Sequence, residues 1–466
     1  MRFKFVLITN KMKYLYSLFV TLLIFVTPLF SQNINKLAIP SEKVDRMQWW
    51  SEARFGMFIH WGLYALPARH EWVMSKEQIS KKDYENYVEY FNPDLYNPRE
   101  WAKLAKNAGM KYVVFTAKHH DGFSMYDSKY SDFKVTNSPI GRDLLKELID
   151  AFRAEDIRIG LYYSLIDWHH PDFLVNEHIH PERNKQEEIA NDENRDKNKF
   201  QRFLMNQITE LLTNYGQIDV LFADFSYPHK KNGKGKSYWN SEALYKQIRK
   251  LQPNIVLNDR LDLEEEGGWD YKSPEQFMPK NWVTYQGEKV PWETCQTFSG
   301  SWGYHRDQYT WKSIRQTIVM LIETVSKGGN LLLNVGPTAR GVIQDEAVER
   351  LEATHQWMKY NSRSIYGCTA APEEFETPDN CLLTYNPKTN RLYVHVLEWP
   401  FKTIYLPGLA GKVKYAQILN DASELKLGTQ KGAWLDDVSE VDNGLKINIP
   451  VRSPNVEIPV IELFLK

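Results

Sequence analysis

Asp224 is the residue of this 466-residue chain best placed to act as a nucleophile. It closes the apolar run Ile218-Asp219-Val220-Leu221-Phe222-Ala223-Asp224, so its charge falls where burial stops. Asp219, at the start of the same run, reads as structural. An ionised carboxylate working with a second, protonated carboxyl is the chemistry of retaining glycoside hydrolysis, which needs the two groups about 5–5.5 Å apart across the scissile bond. Two later segments offer the acid, Ser273-Pro274-Glu275-Gln276 and Pro291-Trp292-Glu293-Thr294-Cys295. A general acid needs a raised pKa, and aromatic surroundings supply it by desolvation. Periodicity does not choose between Glu275 and Glu293.

Histidines and tryptophans gather in the same half of the chain. Six of the 12 His lie between His60 and His170, and 12 of the 15 Trp between Trp49 and Trp311. Aromatic rings pack on the apolar C–H faces of a pyranose, while His, Arg and carboxylates hydrogen-bond its hydroxyls, although any one Trp on its own reads as core. His119 and His120 are adjacent at a strand end, so their side chains are expected on opposite faces unless the backbone bends, which weakens metal chelation. The three cysteines (Cys295, Cys368, Cys381) show no metal spacing. No Gly-rich phosphate loop follows a strand, because Gly328-Gly329 precedes one. No metal and no cofactor is therefore expected.

These side chains must be positioned by alternating strands and helices. Phe55–Gly62, Tyr112–Ala117, Arg158–Leu165, Ile218–Phe225, Asn254–Asn258 and Asn330–Val335 read as nearly continuous apolar strands, the kind buried on both faces of a parallel sheet. Between them, Pro98–Ala108, Arg142–Ala154, Lys199–Tyr215, Ser241–Leu251 and Trp311–Ser326 carry apolar residues at helical spacing. Polar and aromatic residues cluster just after the strands, which favours a (β/α)8-like TIM barrel whose strand ends converge on one mouth. After a helix over Asp345–Asn361 the pattern changes to short alternating strands separated by Pro, Gly and Asn, the signature of an antiparallel β-sandwich. The expected organisation is a barrel over residues 32–362 and a sandwich over 363–466. The charged stretch Pro181–Lys199 reads as a solvated loop.

Residues 1–31 read as a signal peptide: Arg2, Lys4, Lys11 and Lys13 precede an apolar run from Tyr14 to Phe30. The expected location is secreted or periplasmic, with no membrane span once that segment is removed. Lys+Arg 58 against Asp+Glu 59 gives a net charge of −1, which excludes the basic excess a nucleic-acid partner needs. Cleavage removes four of the positive charges and leaves the mature chain mildly acidic. Nothing in the sequence sets an oligomeric state.

Taken in order, several motifs resemble those of the α-L-fucosidases, family 29 of the glycoside hydrolases. They begin with Phe55-Gly56-Met57-Phe58-Ile59-His60-Trp61-Gly62, His70-Glu71-Trp72, Lys118-His119-His120-Asp121-Gly122-Phe123 and Gly160-Leu161-Tyr162-Tyr163-Ser164. Asn258-Asp259-Arg260, Trp292-Glu293-Thr294-Cys295, Ser301-Trp302-Gly303-Tyr304 and Gly328-Gly329-Asn330-Leu331-Leu332-Leu333-Asn334-Val335-Gly336-Pro337 follow. The resemblance runs closely from Trp49 to Asn361 and implies a retaining enzyme without a metal that removes terminal α-L-fucose from glycans. It makes Asp224 the nucleophile and favours Glu275 as acid/base, with Glu293 binding sugar or orienting the acid if it is not itself the acid. It assigns His60, His119, His120, Tyr163 and Arg260 to the fucose hydroxyls, Glu71 and Trp72 to the cap of the pocket, and Trp302 to a stacking surface. Two departures stand out. Phe225 follows the nucleophile where the family usually has Gly, and Pro291 replaces the Lys usually found before Trp292; both bear on aglycone preference. The alternatives are a retaining glycosidase acting on a similar sugar such as a β-D-galactoside, and a non-catalytic fucose-binding protein.

Overall fold

All the expected parallel strands form, and one forms that hydrophobicity did not reveal. The structure is a computed structural model that describes residues 41–175, 179–230, 233–428 and 444–466, so the targeting segment expected at 1–31 lies outside the described residues. The strands are β1 (Phe55–Ile59), β2 (Tyr112–Lys118), β3 (Arg158–Ser164), β4 (Val220–Asp224), β5 (Val256–Leu257), β6 (Glu293–Thr297) and β7 (Asn330–Val335). They pair in parallel in the order β5-β4-β3-β2-β1-β7-β6. Every residue in them is buried except Arg158, which is why all but one read as unbroken apolar runs. The exception is β6, a Glu-Thr-Cys-Gln-Thr sequence that reads as a surface loop and is in fact fully buried.

The edges β5 and β6 do not pair directly. Single parallel bridges, Asn258 to Tyr271, Lys272 to Trp292 and Glu275 to Cys295, carry the barrel wall across the gap through residues 271–275. The side chain of Asn258 holds β4 at this point, accepting from the Ala223 amide at 3.1 Å and donating to the Ala223 carbonyl at 2.9 Å. The barrel thus closes through an irregular eighth stave, and Glu275 rides on its upper end.

Helices α1 (Ser41–Ala53), α2 (Pro98–Ala108), α3 (Leu144–Ala154), α4 (Lys197–Asn214), α5 (Ser241–Leu251), α6 (Ile314–Ser326) and α7 (Asp345–Asn361) accompany the strands. Their starts are set locally: Asn97 caps α2 ahead of Pro98, Asp143 caps α3, and Ser313 with Gln316 forms a capping box on α6. Helix α1 had no counterpart in the sequence reading. It sets Trp50 against Tyr271 with ring centroids 4.7 Å apart, joining the interior layer of Phe58, Tyr112, Tyr162, Phe222 and Leu332. Alternate strand residues such as Val113, Phe115, Leu161, Leu221 and Leu333 face the other way, into the core shared with the helices. The charged stretch before α4 is more ordered than a solvated loop, because Arg195, 3% exposed in its side chain, ties it to Glu188 and Asp192.

From Thr369 onward the ladders are antiparallel. Strands β8 (Thr369–Ala370), β9 (Cys381–Asn386), β10 (Arg391–Val396), β11 (Thr403–Leu406), β12 (Val413–Ile418), β13 (Leu427–Gly428), β14 (Leu445–Asn448) and β15 (Val460–Leu465) form two sheets, ordered β8-β9-β10-β15-β12 and β11-β14-β13. A second core of Leu383, Val394, Ile404, Leu406, Ile447 and Ile461 lies between them, making a β-sandwich. Its larger sheet also packs on the barrel helices, where the Trp357 indole donates to the Ile458 carbonyl at 3.0 Å. Cys295, Cys368 and Cys381 are all buried and unpaired.

Candidate active site

Asp224 ends β4 at the mouth of a cavity of about 80 Å³ bounded by side chains from five other strand ends and loops. The Tyr162 hydroxyl donates to its Oδ2 at 2.6 Å, and Arg260 Nη1 donates to its Oδ1 at 2.5 Å. His120 Nε2 stands 3.8 Å from Oδ2. Burial pushes the Asp224 carboxyl up, but the Arg260 charge, then His120 and the Tyr162 hydrogen bond, outweigh it and hold the group below the usual carboxylate range. A carboxylate that stays ionised although it is 7% exposed is what a nucleophile requires.

The three expected histidines converge here. Burial pushes His60 and His120 down to about 4, and His119 well below its ordinary value, so all three are neutral near pH 7. Ser164 donates to the Ile166 carbonyl at 2.7 Å, so its oxygen accepts from His120 Nδ1 at 2.7 Å. His60 Nδ1 likewise donates to Asn334 Oδ1 at 2.7 Å, an oxygen oriented by the bond from Asn334 Nδ2 to the Trp302 carbonyl. Both rings are left with Nε2 as an acceptor, suited to a sugar hydroxyl. His119 and His120 do not diverge as strand alternation predicts. A register shift between Thr116 and Lys118 bends β2, and their ring centroids lie 4.0 Å apart.

Trp72 and Trp302 line the cavity on either side. Trp72 meets the His120 ring edge-on at 5.1 Å, and Trp302 lies 5.0 Å from the His60 ring. The Trp302 turn depends on Gly336, since a Cβ there would sit 2.7 Å from the Trp302 carbonyl oxygen. Glu71 does not cap the pocket. It is fully buried behind the wall, where its Oε2 accepts from the Gly303 amide at 2.8 Å and so fixes the turn carrying Trp302.

Tyr163 is also absent from the cavity, and its neighbour Tyr162 takes the place. Within β3, Ile159, Leu161 and Tyr163 point to the helices, and the Tyr163 hydroxyl donates to Gln207 Oε1 at 2.9 Å. Tyr162 pairs in register with Phe222, and Ser164 with Asp224, so these residues share the interior face. Phe58, Phe222 and Cys295 complete the lining and had not been assigned.

The two candidate acids part company. Glu275 lies at the mouth with its side chain 41% exposed, and Arg260 Nη2 donates to its Oε2 at 2.8 Å. Glu293 is the first residue of β6, at the opposite end of the barrel, and accepts from the Tyr112 hydroxyl. It has no access to the cavity. Burial raises the Glu293 carboxyl to about 7 from an ordinary 4.5, against the pull of the Tyr112 hydrogen bond. Between those pH values the folded chain holds a proton that the unfolded chain has lost, so stability falls as pH rises and levels off above about 7. At about 1.4 kcal/mol per pH unit the shift contributes about 3 kcal/mol. Asp121, pushed up to about 7 by burial, adds to the same slope. Glu293→Gln is therefore expected to flatten, though not abolish, the fall in Tm between pH 4.5 and 7. An unchanged profile in thermal denaturation across that range would contradict the buried-acid account of Glu293.

The family model described as Alpha-L-fucosidase matches residues 30–363. Human plasma alpha-L-fucosidase is 31% identical over 441 residues, covering 88% of this chain and 87% of that protein. Among solved structures, alpha-L-fucosidase isoenzyme 1 from Paenibacillus thiaminolyticus superposes with a TM-score of 0.85 at 43% identity, covering 91% of this chain and 100% of its own. A Bacteroides thetaiotaomicron alpha-L-fucosidase of the same family, trapped as a covalent intermediate with 2-fluoro-fucosyl fluoride, gives a TM-score of 0.78 at 27% identity, covering 94% and 100%.

Proposed function

The chain belongs to the alpha-L-fucosidase family, and on that premise we propose that it is a retaining exo-α-L-fucosidase acting on fucosylated glycans through a covalent fucosyl-enzyme. The observation that carries this reading is the pair of carboxylates, Asp224 and Glu275, held on the two terminal nitrogens of one guanidinium, Arg260. Such a pair suits the about 5–5.5 Å separation of retaining enzymes, whereas an inverting pair leaves room for a water between its members. Asp224 attacks the anomeric carbon as an anion, and Glu275, open to solvent at the mouth, protonates the departing oxygen. Glu275 then takes a proton from the water that releases fucose. His60, His119, His120 and Arg260 receive the sugar hydroxyls, and Trp72 and Trp302 flank its apolar faces. The charged and apolar residues before Gln32 support an exported enzyme, secreted or periplasmic.

A galactosidase and a silent lectin are the competing readings, and one experiment separates all three. Incubation with aryl α-L-fucoside and aryl β-D-galactoside, followed by proton NMR, is expected to show faster turnover of the fucoside with the α-anomer of fucose released first. Preference for the galactoside, first release of the β-anomer, or binding without turnover would each overturn the proposal.

A further inference from the structure

Asp259 lies just past β5 and directly before Arg260, where the barrel wall crosses to the irregular stave that carries Glu275. Its Oδ1 accepts from the Ser273 amide at 3.2 Å and from the Ser273 hydroxyl at 2.6 Å, and its Oδ2 stands 3.6 Å from Lys272 Nζ. The one hydroxyl proton of Ser273 is thereby committed to Asp259, so the serine oxygen is left to accept from Arg260 Nε at 3.1 Å. The Ser273 carbonyl accepts from Arg260 Nη2 at 3.2 Å, and the guanidinium lies 5.0 Å over the Phe222 ring. Its remaining bonds are those from Nη1 to Asp224 and from Nη2 to Glu275. A guanidinium is a rigid planar fork, so fixing it at Nε decides where both outer nitrogens point.

We propose that Asp259 and Ser273 are positioning residues of the reaction: their hydrogen bonds hold the stave against the end of β5, aim Arg260, and through it set Glu275 in place relative to Asp224. This rests on the fucosidase reading above. Neither side chain lines the sugar cavity, so their effect runs through Arg260. The two carboxylates depend on that guanidinium unequally. Asp224 also accepts from the Tyr162 hydroxyl at 2.6 Å, whereas among the described residues Arg260 is the only side-chain hydrogen-bond partner of Glu275. Loosening Arg260 therefore displaces the acid more than the nucleophile, and the loss grows with the need of the leaving group for a proton.

The test measures kcat/KM on a fucosyl disaccharide and on an aryl fucoside with an acidic phenol, for wild type, Ser273→Ala, Asp259→Ala, Asp259→Asn and the double variant Ser273→Ala/Asp259→Ala, with Tm recorded for each. Ser273→Ala is expected to lower kcat/KM on the disaccharide by about tenfold, the scale of one hydrogen bond to a charged group, and on the aryl fucoside far less. Asp259→Ala should do the same, because the freed hydroxyl can turn its proton toward Arg260. Asp259→Asn keeps the accepting oxygen and should retain most of the disaccharide activity. The double variant should lose no more than Ser273→Ala alone, since both residues act through one chain of bonds. Equal losses on the two substrates would reduce the pair to a structural role and overturn the proposal. Additive losses in the double variant, or an Asp259→Asn as damaged as Asp259→Ala, would overturn it as well. Failure of wild type to hydrolyse either fucoside would instead defeat the fucosidase reading itself.

Discussion

Asp224→Ala is expected to lower kcat on an aryl α-L-fucoside by about 10⁴-fold or more, the scale seen when a covalent nucleophile is removed. Added azide should then restore turnover, with β-L-fucosyl azide as the product. The stereochemistry follows from the geometry. Asp224 faces the anomeric carbon opposite the leaving group, so an azide occupying the space vacated by its carboxylate displaces the aglycone with a single inversion. The neighbouring groups should survive the change, because Arg260 keeps its ion pair with Glu275 at 2.8 Å and its bond to the Ser273 carbonyl at 3.2 Å. A folded variant with full activity would sink the nucleophile assignment. A folded, inactive variant that azide fails to rescue would point to a binding role for this carboxylate.

Much of the barrel was legible because a strand buried on both faces leaves an unbroken apolar trace. Strand β6 left none. Its Glu-Thr-Cys-Gln-Thr residues are buried by pairing among themselves and with loops, as when Gln296 donates to Thr294 at 2.9 Å and Thr294 to the Phe277 carbonyl at 3.1 Å. The stave at 271–275 is held by isolated bridges, and no periodicity announces those. Tyr162 was legible and missed, since the aliphatic residues Ile159 and Leu161 already mark the helix-facing parity on which Tyr163 falls. The bend that brings His119 beside His120 was not, because the register shift at Thr116 depends on the neighbouring strand.

The two candidate acids separate the criterion of a raised pKa from the criterion of reach. A raised pKa marks a general acid, and the carboxyl that burial raises to about 7 is Glu293, down among Tyr112 and Trp50 where no substrate reaches. Reach is the prior condition, and Glu275 meets it. Asp121 repeats the lesson: it too is raised to about 7, yet its Oδ2 is occupied by the Tyr84 hydroxyl at 2.9 Å. For these two carboxyls the raised pKa records burial rather than access to a substrate.

Glu275→Ala is accordingly expected to separate substrates by leaving group. On a fucosyl disaccharide, whose leaving hydroxyl needs a proton, kcat/KM should fall by about 10²–10⁴-fold. On an aryl fucoside with an acidic phenol the first step proceeds without help and kcat/KM should change far less. The second step still lacks its base, so the fucosyl-enzyme on Asp224 accumulates and a burst of phenol precedes a slow steady state. Azide needs no deprotonation, and it should relieve this block by attacking the intermediate from the side Glu275 has vacated. That is the second of two inversions, so the product is α-L-fucosyl azide, opposite to the anomer formed by Asp224→Ala. The anomeric proton coupling of the isolated azide distinguishes the two directly. Glu293→Gln should show no leaving-group dependence, no burst and no azide effect, because its side chain belongs to the other end of the barrel. If Glu293→Gln rather than Glu275→Ala produced the burst and the α-azide, the acid/base would have to be reassigned and the floor of the barrel would have to open during turnover.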